Sequence, residues 1–140
     1  MFKGIKGIHH IAFVVEDFDK SIEIFKDELG LNYQGEASLD YRGVRVGVFE
    51  AGDLLLEIIH PYKKGPVKDY MDKNGPGFFH MAFDVEDIEY AICSMIDNKG
   101  SIKMKDRVPR EGLNWQVASF KKCDTLDIIM QFAEGPKEIE

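Results

Sequence analysis

Apolar positions along this chain alternate between two spacings, and the alternation runs twice. Residues 8–15 carry β-branched and apolar groups on both faces, the pattern of a buried strand. Phe18, Ile22, Phe25 and Leu29 then fall at helical spacing as one buried stripe, and Gly30 supplies a stop. A short strand is expected over 32–36 and another over 44–49. Ala51, Gly52 and Asp53 form a hairpin signal, and the returning strand covers 54–60. Between 61 and 77 the chain is punctuated by Gly65, Pro66, Gly75, Pro76 and Gly77, with a short helix expected over 67–74. The order then repeats: a strand over 78–85, a helix over 87–98, and strands over 102–105, 116–120 and 126–133. A polar loop covers 106–114, and the tail from Gly135 to Glu140 is expected to fray.

The repetition extends to residue identity. Gly7, His10, Ala12, Phe13, Val15, Glu16 and Asp17 recur as Gly77, His80, Ala82, Phe83, Val85, Glu86 and Asp87, an offset of 70 residues in a chain of 140. Self-similarity at a fixed offset marks a repeated structural unit. The closing strands match as well, Glu57 aligning with Gln131 at an offset of 74, which fits a longer loop over 121–125. The fold class implied is α+β, with two βαβββ modules pairing into a curved mixed sheet around a central cleft. One domain covers 1–140, made of a first module over about 5–61, a connector over 62–76 and a second module over 77–134.

In such a pairing the first and last strands of each module bring His10, Glu57, His80 and Gln131 to the centre. Two imidazoles and a carboxylate suit a borderline divalent ion such as Zn, Co, Ni, Mn or Fe(II). A glutamine oxygen adds a weaker neutral donor, and open positions would accept substrate oxygens. Glu57 lies among Leu54, Leu55, Leu56, Ile58 and Ile59, where an ionised carboxylate needs a partner that a dication would supply. His9 points to the other strand face and reads as structural or exposed. His60 sits at a strand end without a histidine counterpart. Asp127 pairs with Asp53 in the repeat as a strand-entry residue. Phe78, Phe79 and Trp115 read as packing groups, and Lys63, Lys64, Lys121 and Lys122 as solvated surface when each is taken alone, with a grip on an anionic substrate tail as their alternative.

Composition narrows the function classes. A hydrophobic fraction of 44% and a charged fraction of 31% are ordinary for a globular protein. No apolar run approaches the roughly 18 residues of a membrane span. The first six residues lack the apolar core of a secretory signal, so a cytoplasmic location is expected. A net charge of −7 argues against nucleic acid as a partner. Cys93 and Cys123 have no pairing spacing, and Cys93 is expected as a small buried hydrophobe on its helix.

The run from Ile8 to Asp17 and the ending 128–132 resemble the vicinal-oxygen-chelate superfamily, which holds glyoxalase I, methylmalonyl-CoA epimerases and extradiol dioxygenases. The segments 56–61, 65–71 and 75–83 resemble the epimerase family within it. That resemblance implies His10, Glu57, His80 and Gln131 as metal ligands, with Glu57 and Gln131 in the catalytic positions. It implies an isomerase that removes the α-proton of a short acyl-CoA through a metal-stabilised enolate, and a homodimer as the assembly. The sequence departs from the family in having Gln131 where the last-strand ligand is usually Glu and doubles as a base. It also has Val46 near a second acidic position; Glu111 or metal-bound water are the candidates for the missing group. A glyoxalase-I-like lyase acting on a thiol hemiacetal needs only one base and is the alternative. A dioxygenase using two histidines, one carboxylate and Fe(II) is a further one, and a metal-free binding module is the last.

Overall fold

Asp17 and Asp87, which close the two copies of the repeat, each begin a helix. In this computed structural model, which describes residues 2–139, Asp17 Oδ1 accepts from Lys20 N at 3.0 Å and caps α1 (Phe18–Glu23). Asp87 Oδ1 accepts from Tyr90 N at 3.0 Å and caps α3 (Ile88–Asp97). Each cap satisfies a helix-end amide that has no partner within the helix. The repeat therefore preserves a turn from strand into helix.

The architecture is mixed α+β, with strands β1 (Ile5–Val14), β2 (Asn32–Leu39), β3 (Val44–Ala51), β4 (Leu54–Pro61), β5 (Gly77–Val85), β6 (Arg110–Glu111), β7 (Gln116–Ser119) and β8 (Ile129–Glu134). A further helix, α2 (Pro66–Asn74), lies between β4 and β5. The chain forms two compact units. One holds residues 2–10 and 80–138, the other 11–79 with Ile139, so β1 contributes its first residues to one and its last to the other. No helix among the described residues is long and apolar enough to cross a membrane.

In the unit of residues 11–79 the strands neighbour in the order β2-β3-β4-β1, with β2, β3 and β4 antiparallel. Its core holds Phe49, Val48 and Ile58, all fully buried. The helix α1 lies on β3 at Gly47. A Cβ there would fall 2.6 Å from Ile22 Cδ1 and 3.2 Å from Phe18 Cζ, so a larger residue would push these two side chains aside. After Glu23 the helix widens into a π turn over Ile24–Glu28. The extra residue in that turn rotates the ladder. Leu29, expected on the buried stripe, is 63% exposed as a result.

In the unit of residues 80–138 the order is β1-β5-β8-β7-β6. The strands β5 and β8 are parallel, and β7 is antiparallel to both β8 and β6. The core packs Val85, Ile88, Ala91 and Ile92 against Met104, Ala118, Phe120 and Phe132. Burying each of the larger side chains contributes about 2 kcal/mol.

Several expectations are corrected here. The strand over 102–105 is reduced to one bridge between Met104 and Phe120, because Lys103 N is taken by the Asp124 carboxylate. The last strand begins at Ile129, because Leu126 and Asp127 have φ of 59° and 61° and cannot continue a strand. Cys93 is exposed: α3 buries Ile88, Ala91 and Ile92, and one further step turns the next side chain about 100° away. The tail is anchored through residue 139. Gly135 O accepts from His9, Lys137 Nζ pairs with Asp84 Oδ2 at 3.3 Å, and Ile139 N donates to Gln34 Oε1 at 3.2 Å. Glu140 lies outside the described residues.

Candidate functional site

Three of the four candidate side chains meet in one unit. His10, on β1, is 1% exposed, and His80, on β5, is half-buried. Their Nε2 atoms lie 3.2 Å apart. Burial is the main cause holding the His10 imidazole well below its ordinary pKa, reinforced by repulsion from His80 and His9 and opposed by a hydrogen bond to Gln131. A neutral, dry imidazole is the form that ligates metal.

Gln131, on β8, is 5% exposed and lies opposite Ser119 on β7. Its Nε2 donates to Ser119 Oγ at 3.3 Å. That hydroxyl also accepts from Arg110 Nη2 at 3.1 Å, and Arg110 Nε donates to Asp106 Oδ2 at 2.8 Å. The same Asp106 oxygen accepts from Ser119 N at 2.8 Å. With its nitrogen held by Ser119, the Gln131 amide turns its oxygen to His10. The polar loop before β7 thus orients a candidate ligand from behind.

The fourth candidate belongs to the other unit. Glu57, on β4, is 6% exposed and lies opposite Val48 on β3. Burial pushes its carboxyl up to about 7, and attraction to Arg42 pulls the other way. The matching closing strands therefore differ in what faces them. Gln131 has a hydroxyl across the ladder, whereas Glu57 has an isopropyl group. Burial is the main cause raising the Glu57 carboxyl, while the Gln131 amide gains a hydroxyl partner across the ladder.

His9 is structural rather than exposed, but its ring is not parted from His10 as strand alternation suggested. It is fully buried, its Nδ1 lies 2.9 Å from His10 Nδ1, and its Nε2 donates to Gly135 O at 3.1 Å. Alternation along the strand does not part the two rings, since Nδ1 is the ring atom nearest the backbone. Trp115 packs on both imidazoles, with ring centroids 4.8 Å from His9 and 5.3 Å from His10. Gly135 has φ 137°, and a Cβ on it would fall 2.9 Å from Trp115 Cβ, so its carbonyl reaches His9 only as glycine. Sequence reading found neither Ser119 nor the role of His9. The adjacent pair His9-His10, where the second copy has Phe79-His80, was the available signal for the latter. His60 Nδ1 donates to Val15 O at 3.0 Å and ties two strands together. Glu111 is exposed on β6.

Residues 9–118 match the sequence model of the Glyoxalase/Bleomycin resistance protein/Dioxygenase superfamily. The chain belongs to this superfamily. Among relatives within the glyoxalase superfamily, a mitochondrial methylmalonyl-CoA epimerase of Dictyostelium discoideum is 22% identical over 119 residues, covering 84% of this chain and 70% of the relative. A probable lactoylglutathione lyase of Synechocystis is 32% identical over 107 residues, covering 71% and 75%. A solved structure of a Streptomyces coelicolor methylmalonyl-CoA epimerase variant, in complex with 2-nitronate-propionyl-CoA, superposes with a TM-score of 0.85. It covers 97% of this chain and 99% of that one at 19% identity, a likeness that speaks to the fold alone.

Proposed function

We propose that this glyoxalase-superfamily protein is a divalent-metal-dependent isomerase that exchanges the α-proton of a short acyl-CoA such as methylmalonyl-CoA. The observation that carries the reading is the approach of His10 Nε2 and His80 Nε2 to 3.2 Å beside the oriented amide of Gln131. Two nitrogen donors and one amide oxygen fit a borderline dication, and the repeat that matches Glu57 to Gln131 supports Glu57 as the ligand that would bring a negative charge. When bound, such an ion supplies Lewis-acid stabilisation of the negative charge that α-proton loss places on the substrate's carbonyl oxygens.

The chain's own residues do the rest. Glu57 carries two carboxylate oxygens, one for the cation and one to accept the α-proton. The dry strand around it keeps bulk water from competing for that proton. Gln131 cannot take a proton at neutral pH, so its part is to hold and orient. The acyl-CoA relatives favour the epimerase reading. The lyase relative at 32% identity favours a second one, in which the single carboxylate shuttles a proton between adjacent carbons of a thiol hemiacetal.

Incubating the cation-loaded protein with methylmalonyl-CoA in D2O separates them. Deuterium entering the α-carbon at a rate that falls with chelation supports the isomerase. No exchange, together with turnover of methylglyoxal and glutathione, overturns it in favour of the lyase.

A further inference from the structure

We propose that the loops over 40–43 and 62–65 form a subsite for the adenosine 3′,5′-bisphosphate end of a coenzyme A substrate, with Tyr41 stacking on the adenine and Arg42, Lys63 and Lys64 holding the phosphates. The proposal deepens the acyl-CoA reading and rests on it for the identity of the ligand. The two loops adjoin. Tyr62 N donates to Gly43 O at 2.8 Å, and the Tyr62 hydroxyl donates to Asp40 Oδ1. Gly43 has φ 68°, and a Cβ there would fall 2.7 Å from Lys63 Cγ and 3.1 Å from Lys63 O. A Cβ on Gly65 would fall 3.1 Å from Arg42 O. The side chains of both loops therefore start from touching backbone.

Those side chains set aromatic rings beside cations: Tyr41 and Arg42 on one loop, Tyr62, Lys63 and Lys64 on the other. Arg42 Cζ lies 5.4 Å from the Tyr41 ring centroid, and Lys63 Nζ 5.8 Å from that of Tyr62, both within cation–π reach. Tyr41 is 71% exposed and Tyr62 41%, so the core does not use up either ring. A base stacks on such a ring whatever its sequence, and phosphates pair with the cations beside it. The eight residues carry three cations and one carboxylate, in a chain of net charge −7. That carboxylate, Asp40, is engaged by the Tyr62 hydroxyl. A chain this acidic holds a bisphosphate only where cations are gathered locally. The placement fits as well. Tyr62 lies just past the end of β4, five residues from Glu57 and roughly 17 Å away at the rise of a strand. The pantetheine arm of coenzyme A bridges a span of this order between thioester and diphosphate. Arg42 is also the cation whose attraction opposes the effect of burial on Glu57, so the loops lie within electrostatic reach of the proposed proton acceptor. A glutathione conjugate carries neither base nor phosphate to fill this subsite.

Calorimetric titration of the chelated protein with adenosine 3′,5′-bisphosphate tests the subsite without cation or turnover. The parent should bind it saturably, about tenfold or more tightly than inorganic phosphate. Lys63→Gln combined with Lys64→Gln keeps aliphatic stems beside Gly43 and should weaken binding about tenfold. Tyr41→Ala, at an exposed position, should weaken it about fivefold or more. No saturable binding, equal binding of inorganic phosphate, or equal affinity in the parent and both variants overturns the proposal. In D2O exchange with the cation-loaded protein, the parent's kcat/KM for methylmalonyl-CoA should exceed that for methylmalonyl-pantetheine about tenfold, and the double lysine variant should lose most of that ratio. A parent ratio near one overturns the proposal. If no exchange occurs while the bisphosphate binds and the variants lose it, the isomerase reading falls and the subsite stands.

Discussion

Replacing Glu57 by Gln in the chelated protein removes a titrating group from a dry strand at nearly constant volume. In the folded parent the carboxyl titrates at about 7, against a reference of 4.5. Between those values the folded state keeps a proton that the unfolded chain has lost. Stability then falls as pH rises through this window and levels off above about pH 7. At about 1.4 kcal/mol per pKa unit the loss comes to about 3 kcal/mol, more than a hundredfold in the folding equilibrium. Glu57→Gln has no such term. Burial lowers the pKa of His9 and His10, which makes both proteins gain stability as pH rises through about 6.5, and that gain cancels in the difference. Urea denaturation at pH 5, 6, 7 and 8 with chelator present should show the variant's advantage over the parent growing by about 2.5 kcal/mol across the series. Adding a divalent cation at pH 8 should stabilise the parent much more than the variant, which keeps only the neutral donors. A difference that is flat with pH, or one that grows in the parent's favour, refutes the assignment of a buried, raised carboxyl.

Three further outcomes follow from the same structure. Ser119→Ala leaves the Gln131 amide unanchored on its nitrogen side, so cation affinity by calorimetry should fall several-fold, with Ser119→Thr recovering most of it. Gly135→Ala forces a Cβ to within 2.9 Å of Trp115 at φ 137° and should cost about 1–3 kcal/mol in thermal unfolding. Asp17→Ala and Asp87→Ala each remove one helix cap and should cost about 1 kcal/mol apiece, separably and additively.

Much of the fold was legible because the repeat carries its own punctuation. Asp17 and Asp87 signal strand-to-helix turns, and the two-residue turn before Leu54 sets the β3–β4 register. The failures share a cause, which is that side chains and ladder shifts override local pattern. The apolar stripe ending at Leu29 gave no warning of a π turn. Asp124 capturing Lys103 N undid a segment that reads as strand. At the site, His10, His80 and Gln131 were visible as symmetric polar breaks in apolar strands. Ser119 was not, because a serine next to Phe120 on a short strand reads as edge polarity until its partner across the ladder is known. His9 was hidden by strand alternation, which describes where Cβ points and not where a ring's near nitrogen reaches.

The claim beneath all of this is that His10, His80, Glu57 and Gln131 share one divalent cation. A Co(II) titration read by visible absorption tests it most directly, comparing the parent with His80→Ala, whose half-buried position tolerates truncation. The account predicts saturation at one ion per chain in the parent and an affinity at least a hundredfold weaker in the variant. Equal spectra and equal affinity in the two proteins, or no saturable binding in the parent, would contradict it.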